Sequence, residues 1–382
     1  MPIYKMDGTK YGKTKYRVRI NYVDSFGKNK QIDRVTYGIA EAKELERQLN
    51  FEIKESSPIK SITVENLFDE YIRVKQHEVR ESSLNKTSSI LTLHILPFLG
   101  SIKLKNINMK VLQAWKNDME EKQISTKSGL KNLGVRTKQN AYGELRALLN
   151  YAVKMEYISQ NPLLKIGNFK DVNTIKDEMQ YYTPDEFKQY INAARFCAEK
   201  SPTNADWDYY VFFCIAFYMG LRKGEIHALK WHDISGEYLS VKRSITQKLK
   251  GEDRETPPKN KSSIRTIQMP KPLIDILGEH KERYKSLKGF NDDFRVCGGT
   301  RPLRDTSVEN ANIKFAKLAS VKKIRIHDFR HSHASLLANN GINIQEIARR
   351  LGHANIEMTW NTYAHLYPRE EERATQILDK IV

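Results

Sequence analysis

The segment Ile326–Tyr367 reads IHDFRHSHASLLANNG, then INIQEIARRLGH, then ANIEMTWNTYAHLY. Its helix-starting and helix-ending residues predict two consecutive helices. The first should end at Asn339–Gly341, because asparagine and glycine commonly occupy the left-handed position that ends a helix. The second should begin after the N-cap residue Asn343 and end at Gly352. Both helices therefore have ends that can be recognised in the sequence.

This segment also carries side chains suited to contact with phosphate. His327 and Arg330 are three residues apart and therefore share one face of the first predicted helix. His353 lies just past the second helix, and Tyr363 follows it by ten residues. A cation, two imidazoles and a tyrosine hydroxyl together indicate a phosphate as the ligand.

Two other interpretations of these residues are open. A His-x-x-Arg pair occurs on many solvated helix faces. His327 and His331 also mimic the i, i+4 imidazole pair of a zinc site. However, Asp328 replaces the glutamate that would act as general base, and Arg330 would bring a positive charge next to the metal. We therefore expect no metal.

The composition favours a polyanionic partner. The chain has 382 residues, which is enough for two or three domains with a substantial core. Its 64 lysines and arginines against 46 aspartates and glutamates give a net charge of +18. Because the positive charge is spread over every segment, nucleic acid is favoured over a membrane.

Three features indicate a cytosolic protein. The cysteines Cys197, Cys214 and Cys297 form no Cys-x-x-Cys motif and leave an odd count, which is typical of a reducing compartment. The N-terminus lacks an apolar signal region. The longest apolar run, Tyr209–Met219, is too short to span a bilayer and predicts a buried helix. We therefore expect no membrane partner.

The N-terminal segment predicts a small sheet covered by one helix. Residues 16–23 alternate with period two, which is typical of a strand with one buried face. A turn, a second strand and a helix are expected to follow, at Asp24–Gly27, Gln31–Tyr37 and Ala40–Glu55.

The other face of the first predicted strand is basic. Arg17 and Arg19 lie on it, and residues 1–40 carry nine lysines or arginines against three aspartates. Such strands can bind DNA in a groove. An ordinary sheet with lysines guarding its edges would have a similar composition.

Residues 62–165 predict a bundle of four helices. The first follows the cap residue Thr63 and places Leu67, Tyr71 and Val74 at helical spacing. The other three are expected at Ser82–Leu96, after the cap residue Asn108, and at Val135–Tyr157.

Two lysines of this bundle are candidate DNA contacts. Lys86 and Lys138 are expected at exposed positions, where a lysine side chain can reach phosphate. A solvated helical surface would show similar residues, so the pattern by itself does not distinguish the two interpretations.

A polar connection at residues 166–180 precedes a new domain. Thr183–Glu186 combines a capping box with proline at the first helical position, which marks a helix start. A buried helix near residues 207–219 should end at Gly220. Residues 256–270 predict a basic turn that continues into a strand, a hairpin that could hold one ammonium group over DNA.

Arg222 and Glu225 form the next candidate pair. They lie three residues apart, so the carboxylate can orient the guanidinium. The alternative is an exposed ion pair with little effect on stability.

At these residues the chain resembles the tyrosine recombinases, in particular integrases of temperate phages and conjugative transposons. The five motifs that carry the resemblance, in family order, are Gly220-Leu221-Arg222-x-x-Glu225, Pro258-Lys259 before Ser262-x-x-Arg265, His327-x-x-Arg330, Leu351-Gly352-His353 and Thr362-Tyr363. Each motif is common alone, but the five in this order are specific. Asn260 replaces the threonine expected after the lysine, so the hairpin lysine is Lys259 or Lys261.

The resemblance implies a catalytic set. Its members are Arg222, Lys259, His327, Arg330, His353 and the nucleophile Tyr363, with Glu225 positioning groups behind them. Arginine forks suit the clamping of phosphate oxygens, and the tyrosine would form a 3′-phosphotyrosyl link that conserves bond energy. A base such as His327 would assist the tyrosine, and Lys259 would protonate the leaving oxygen. Neither a metal nor another cofactor is implied.

The implied fold is α+β and multidomain. An arm-type DNA-binding domain of sheet and helix would span residues 1–55, and a helical core-binding domain residues 62–165. A mainly helical catalytic domain with a small sheet and a C-terminal tail would span residues 175–382. The resemblance covers essentially the whole chain.

The implied function is site-specific recombination that integrates and excises a mobile element. Its partners would be double-stranded DNA at core and arm-type sites, a homo-tetramer on synapsed DNA, a directionality factor and a host DNA-bending protein. The implied location is the bacterial cytoplasm, at the nucleoid. A type IB topoisomerase and a non-catalytic DNA-binding regulator are the alternative functions.

Two further alternatives concern the C-terminal end. Tyr367 lies four residues after Tyr363 and competes with it as the nucleophile, although Pro368 favours an extended backbone there. The tail after Arg369 has apolar residues at helical spacing, which could pack on its own domain or on a neighbouring protomer.

Overall fold

The computed structural model describes residues 3–23, 29–55, 62–126, 129–171, 179–201, 205–246, 254–256 and 261–367, together with 375, 378 and 379. By its internal contacts the chain divides into two units, Met1–Ile175 and Lys176–Val382. None of the helices among these residues is both long and apolar enough to cross a membrane.

The first unit begins with a three-stranded antiparallel sheet and one helix. Its elements are β1 (Ile3–Lys10), β2 (Lys13–Val23), β3 (Asn29–Tyr37) and α1 (Ile39–Glu55), with β2 in the centre of the sheet. Val18 and Ile20 of β2 are buried together with Ala42 and Leu49 of α1. The predicted alternation of β2 is therefore confirmed, and the predicted turn at Asp24–Gly27 lies outside the described residues.

Strand β1 was not predicted from the sequence. Its pairing with β2 shifts register between Lys5 and Thr9, and Gly8 adopts a φ of +118°. An irregularity of this kind interrupts the period-two pattern by which a strand is recognised.

A helical bundle with its own hydrophobic core follows. Its elements are α2 (Val64–Glu78), α3 (Glu81–His94), α4 (Leu96–Leu99), α5 (Met109–Glu121), the hairpin strands β4 (Gln123–Thr126) and β5 (Gly129–Asn132), and α6 (Val135–Lys154). Thr63 caps α2 and Asn108 caps α5, as predicted. The hairpin was not predicted, and its residues Ile124 and Leu130 are exposed.

Among its described residues, the second unit contains further helices and two small sheets. The helices are α7 (Pro184–Lys200), α8 (Ala205–Met219), α9 (Lys223–Ala228), α10 (Lys271–Lys285), α11 (Asp305–Leu318), α12 (Asp328–Asn339), α13 (Ile344–Leu351) and α14 (Ile356–Tyr363). The strands are β6 (Ile234–Ser235), β7 (Tyr238–Val241), β8 (Ser244–Thr246), β9 (Arg254–Thr256) and β10 (Arg265–Gln268). One sheet has the order β10-β7-β6, and β8 pairs with β9.

The chain between Tyr238 and Thr246 forms two strands, β7 and β8, rather than one continuous strand. Lys242 and Arg243 separate the two strands, and both form ion pairs with the buried carboxylate of Asp233. Their charged side chains are therefore tied to Asp233 at the point where the chain leaves one sheet for the other.

Helix α12 is anchored in an aromatic core. The ring of Phe329 lies 5.0 Å from the ring of Phe213 on α8 and 5.2 Å from that of Tyr190 on α7. Phe329 is fully buried. Its packing fixes the start of α12, where its chain neighbour Arg330 lies.

Candidate active site

The predicted site residues of the second unit lie at the ends of four helices. α8 ends at Gly220, whose φ of +61° lies in the left-handed region that favours glycine. Arg222 then caps α9, and Arg330 lies in the first turn of α12. His353 follows α13, and Tyr363 is the last residue of α14.

Glu225 joins two arginines in a buried network. Its Oε1 accepts a hydrogen bond from Arg222 Nη1 at 2.9 Å. Its two oxygens accept from Arg265 Nη1 and Nη2 at 3.2 and 3.0 Å. Burial would raise the pKa of this carboxyl, but the charges of Arg265 and Arg222 hold the pKa below its usual value. Glu225 is therefore ionised and fixes the guanidinium of Arg222.

Arg265 is the residue whose role the motifs did not indicate. Besides its two bonds to Glu225, its Nε donates to the carbonyl of Arg350 at 2.6 Å, and its Nη1 to the carbonyl of Ser263 at 3.0 Å. The one signal in the sequence is that Arg265 occupies the same face of β10 as the buried Ile267. An arginine on the apolar face of a strand requires a buried partner.

Arg330 is buried and held by main-chain carbonyls. Its Nη1 donates to the carbonyl of Gly220 at 2.9 Å, and its Nη2 to the carbonyl of Leu351 at 2.7 Å. Nη2 also lies 2.8 Å from Nε2 of His353. Burial, with the nearby charge of Arg222, lowers the pKa of Arg330 to about 9. The guanidinium thus stays protonated at neutral pH, and no carboxylate hydrogen-bonds to it among the described residues.

The contacts of His353 define its tautomer. Because arginine can only donate, Nε2 of His353 accepts the hydrogen bond from Arg330. The proton therefore resides on Nδ1, which donates to Oγ1 of Thr359 at 2.8 Å. Burial and the charges of Arg330 and Arg222 lower the pKa of His353 to about 4, so the ring is neutral.

Taken together, these groups carry an excess of positive charge. Arg222, Arg265 and Arg330 are three cations, and Glu225 is the one carboxylate that pairs with them among the residues described. Arginine forks bind oxyanions with directed hydrogen bonds. The arrangement is therefore suited to a bound phosphate.

The hydroxyl of Tyr363 is buried and lies 2.6 Å from Nδ1 of His331. Burial raises the pKa of Tyr363 to about 12, although the charge of Arg330 opposes this shift. The hydroxyl of Tyr367 instead donates to the carbonyl of Ile342 at 2.6 Å. The two hydroxyls thus have different partners, and the hydroxyl of Tyr363 is the one that bonds to a side chain of the His-x-x-Arg helix.

His327 lies at the start of α12 with an exposed ring. Its ring meets that of His331 edge to face, with centroids 5.1 Å apart. Partial desolvation and the neighbouring His331 and Arg330 lower the pKa of His327 to about 4. The sequence suggested His327 as the base for the tyrosine, but the hydroxyl of Tyr363 contacts His331.

The two candidates for the hairpin lysine precede β10 in the chain. Lys259 lies outside the described residues, and Lys261 begins a short 3₁₀ helix that leads to β10. The assignment of Lys259 as the general acid stays a prediction.

The residues predicted to contact DNA in the first unit differ in their exposure and in their hydrogen-bond partners. Arg17 Nε and Arg19 Nη2 donate to the carboxylate of Asp33 at 2.7 and 3.1 Å. Lys86 is exposed on α3. Lys138, by contrast, is buried and forms an ion pair with Glu120. The prediction that Lys138 is exposed was wrong, because its position on α6 faces α5 and the long side chain reaches the carboxylate.

Residues 180–370 match the model of the phage integrase family, and residues 63–119 match the N-terminal SAM-like domain of phage integrases. The chain belongs to the phage integrase family. It is therefore a tyrosine recombinase, a site-specific enzyme that cuts and rejoins DNA. The predicted family and fold class are confirmed, and the regulator and topoisomerase alternatives are set aside.

Relatives of this integrase come from mobile elements. It is 29% identical over 352 residues to the ICEBs1 integrase of Bacillus subtilis, covering 90% of each chain. The Tn1549 transposon integrase, solved with circular intermediate DNA, matches with a TM-score of 0.65 at 20% identity, over 84% of this chain and 100% of that one. A lambda integrase tetramer bound to a Holliday junction matches with a TM-score of 0.55 at 19% identity, over 93% and 96%. The two solved structures establish the fold.

Gly352 provides a test of the arginine network. Its φ is +66°, and a Cβ there would lie 2.8 Å from Nη1 of Arg265. Gly236 has a φ of +54° with nothing within 4 Å, so it is a matched control. In both alanine variants the left-handed backbone should lower the free energy of unfolding by about 1–2 kcal/mol. Gly352→Ala should in addition displace Arg265 and slow DNA cleavage.

Thermal unfolding midpoints and single-turnover cleavage of a nicked DNA substrate would measure the two effects separately. Gly236→Ala is expected to cleave at the wild-type rate below its unfolding temperature. Equal cleavage rates for the two variants would contradict a role for the contact between Gly352 and Arg265.

Proposed function

We propose that Arg222, Arg330 and His353 bind the non-bridging oxygens of one phosphodiester in double-stranded DNA, and that Tyr363 attacks its phosphorus. The observation that carries this proposal is the excess of arginine charge around Glu225. Arg330 bonds to carbonyls and an imidazole rather than to a carboxylate, so its charge is left for an anion. Donors arranged before the reaction stabilise charge that develops in the transition state.

A hydrogen bond from His353 to phosphate would require the ring to change its tautomer. In the structure, Nε2 of His353 accepts a hydrogen bond from Arg330, and Nδ1 donates one to Thr359. To donate to a phosphate oxygen, Nε2 must carry the proton instead. The hydroxyl of Thr359 can then donate to Nδ1, since a hydroxyl both donates and accepts. Thr359 would thus support both tautomers of His353.

The attack would join Tyr363 to the 3′ phosphate and release the 5′ oxygen of the next nucleotide. A phosphotyrosyl link conserves the energy of the broken bond, so rejoining needs neither ATP nor a metal ion. Lys259 would supply the proton for the leaving oxygen, as the family resemblance implies. His327, exposed beside Arg330, would line the phosphate site.

We assign the nucleophile to Tyr363 rather than Tyr367. Tyr363 ends α14, contacts α12 through His331, and has Arg330 among the charges that act on its hydroxyl. The hydroxyl of Tyr367 is occupied by the carbonyl of Ile342. Attack by Tyr367 would require that bond to break.

The DNA-binding surfaces would be divided among three domains. Residues 1–55 would bind an arm-type site through Arg17 and Arg19, residues 62–165 would bind core DNA with Lys86 among the contacts, and residues 175–382 would carry out the reaction. Because Asp33 accepts hydrogen bonds from both arginines, only part of their charge is available to DNA.

A homo-tetramer on two synapsed sites is the proposed assembly, because recombination exchanges four strands. The C-terminal tail, which lies largely outside the described residues, would pack on its own domain or on a neighbouring protomer. A directionality factor and a host DNA-bending protein are further proposed partners. The reaction would take place on DNA in the bacterial cytoplasm.

Tyr363→Phe should abolish the covalent adduct while leaving folding and DNA affinity unchanged, because it removes only the hydroxyl. Tyr367→Phe is the matched control and should still form the adduct. Nicked suicide DNA followed by peptide mapping of the trapped product would test both variants. An adduct that persists in Tyr363→Phe, or that maps to Tyr367, would overturn the assignment.

Arg222→Lys should lower the cleavage rate by about 10²–10³-fold, since loss of one preorganised donor typically costs this much. Arg349→Lys is the control, because Arg349 is exposed and pairs with Glu346. Single-turnover cleavage and gel-shift affinity would be measured for both. Similar cleavage by the two variants would remove Arg222 from the proposed site.

A protein that starts at residue 62 should bind and cleave core DNA but fail to integrate substrates that carry arm-type sites. In the full chain, Arg17→Gln with Arg19→Gln should weaken arm binding, whereas Asp33→Asn should strengthen it by freeing both arginines. Arm-site affinity at several salt concentrations would report these changes. Complete recombination by the shortened protein would show that the arm proposal is wrong.

A further inference from the structure

The side chain of His331 makes a hydrogen bond to the proposed nucleophile. Its Nδ1 lies 2.6 Å from the hydroxyl of Tyr363, and the two rings are 5.8 Å apart with an angle of 54° between them. The two residues are 32 positions apart in the sequence, on α12 and α14. The contact joins the helix that carries Arg330 to the helix that carries the proposed nucleophile.

The direction of this bond follows from the states of the two groups. Burial lowers the pKa of His331, and the positive charges of Arg325 and Arg330 lower it further, although the negative charge of Asp328 opposes them. His331 is therefore neutral at physiological pH. The pKa of Tyr363 is raised, so its hydroxyl keeps its proton. Tyr363 thus donates to Nδ1, and the proton of the neutral imidazole resides on Nε2.

The position of His331 is rigid. It belongs to the first turns of α12, where Oγ of Ser332 accepts from the backbone N–H of Tyr182 at 2.9 Å and donates to the carbonyl of Asp328 at 2.8 Å. Phe329 anchors the same turns in the aromatic core. The backbone that carries the imidazole is therefore fixed on both sides of His331.

His327 is less suited to act on the tyrosine. Its ring is exposed and lies edge to face on His331, and among the described contacts the hydroxyl of Tyr363 bonds to His331. A general base must be within hydrogen-bond reach of the proton that it removes. Geometry thus favours His331 for this step and leaves His327 beside the phosphate site.

We propose that His331 is a catalytic residue that accepts the proton of Tyr363 through Nδ1 as the tyrosine attacks DNA. This inference rests on the proposed role of Tyr363 as the nucleophile. His331 would also hold the hydroxyl in place before DNA binds.

The step balances in atoms and electrons. A lone pair of the Tyr363 oxygen forms the bond to phosphorus, while the tyrosine proton moves to Nδ1 of His331. The bond between phosphorus and the 5′ oxygen breaks, and its electron pair stays on that oxygen, which takes a proton from Lys259. In rejoining, the attacking 5′ hydroxyl returns a proton to Lys259, and His331 returns its proton to the tyrosine.

Two substitutions separate proton transfer from packing. His331→Asn keeps a polar acceptor close to the place of Nδ1 but cannot take up a proton, and His331→Leu fills the space without an acceptor. Both should form the covalent adduct about 10²-fold more slowly than the wild type, the lower end of the range for general acid–base groups. Gel-shift affinity and the thermal unfolding midpoint would confirm that binding and folding are intact.

Fluorotyrosine at position 363 supplies a readout that a structural role would not move. Its hydroxyl is more acidic than that of tyrosine and depends less on a base. When fluorotyrosine is introduced at position 363 of the His331 variants in the full chain, the rate of adduct formation should rise at least tenfold. The same His331 variants should gain nothing from DNA with a bridging 5′ sulfur, which needs no proton on the leaving group. Lys259→Ala should be rescued by that DNA.

The outcomes distinguish this inference from the proposed function. Suppose that Tyr363→Phe loses the adduct while His331→Leu cleaves within about threefold of the wild-type rate. That result would overturn the role of His331 and leave the proposed function intact. Failure of fluorotyrosine to accelerate the His331 variants, or their rescue by the bridging sulfur, would also overturn it. A persistent adduct in Tyr363→Phe would overturn the proposed function and this inference with it.

Discussion

The buried ion pair between Glu225 and Arg265 is the contact on which the site depends. Both side chains are almost completely buried, and the pair joins the first turn of α9 to the first residue of β10. Burying two charges costs several kcal/mol per ion, which the attraction between them offsets only when their remaining hydrogen bonds are satisfied. Here Arg222 satisfies the carboxylate, and the carbonyls of Arg350 and Ser263 satisfy the guanidinium. Removal of either partner would leave a buried charge beside Arg222.

Arg330 is held in the site without a carboxylate partner among the described residues. Arg330 is fixed by the carbonyls of Gly220 and Leu351, which supply hydrogen bonds but no formal negative charge. His353 accepts a further bond from Arg330 as a neutral ring. A site built in this way is rigid before its ligand arrives and still attracts an anion strongly. This property suits an enzyme that must stabilise extra negative charge on a phosphate.

Much of the fold could be predicted because the relevant signals are local. The capping residues Thr63, Asn108, Thr183 and Asn343 act on backbone N–H groups two or three residues away, and each marks a helix start in the structure. Gly352 ends α13 with a φ of +66°, as its position in the sequence indicated. Elements whose signals are irregular or short were missed, namely β1 with its register shift and the hairpin of β4 and β5.

The sequence by itself determined the order of the motifs, the family and the residue types of the site. Only the tertiary structure decided which of these groups touch. The bond between Glu225 and Arg265 spans 40 residues and that between His331 and Tyr363 spans 32, and no spacing rule predicts either. Lys138 illustrates the same limit, since its ion pair with Glu120 depends on how two helices pack. The physical reason is that caps and turns are set by neighbouring residues, whereas buried polar groups find their partners only when distant elements exclude water together.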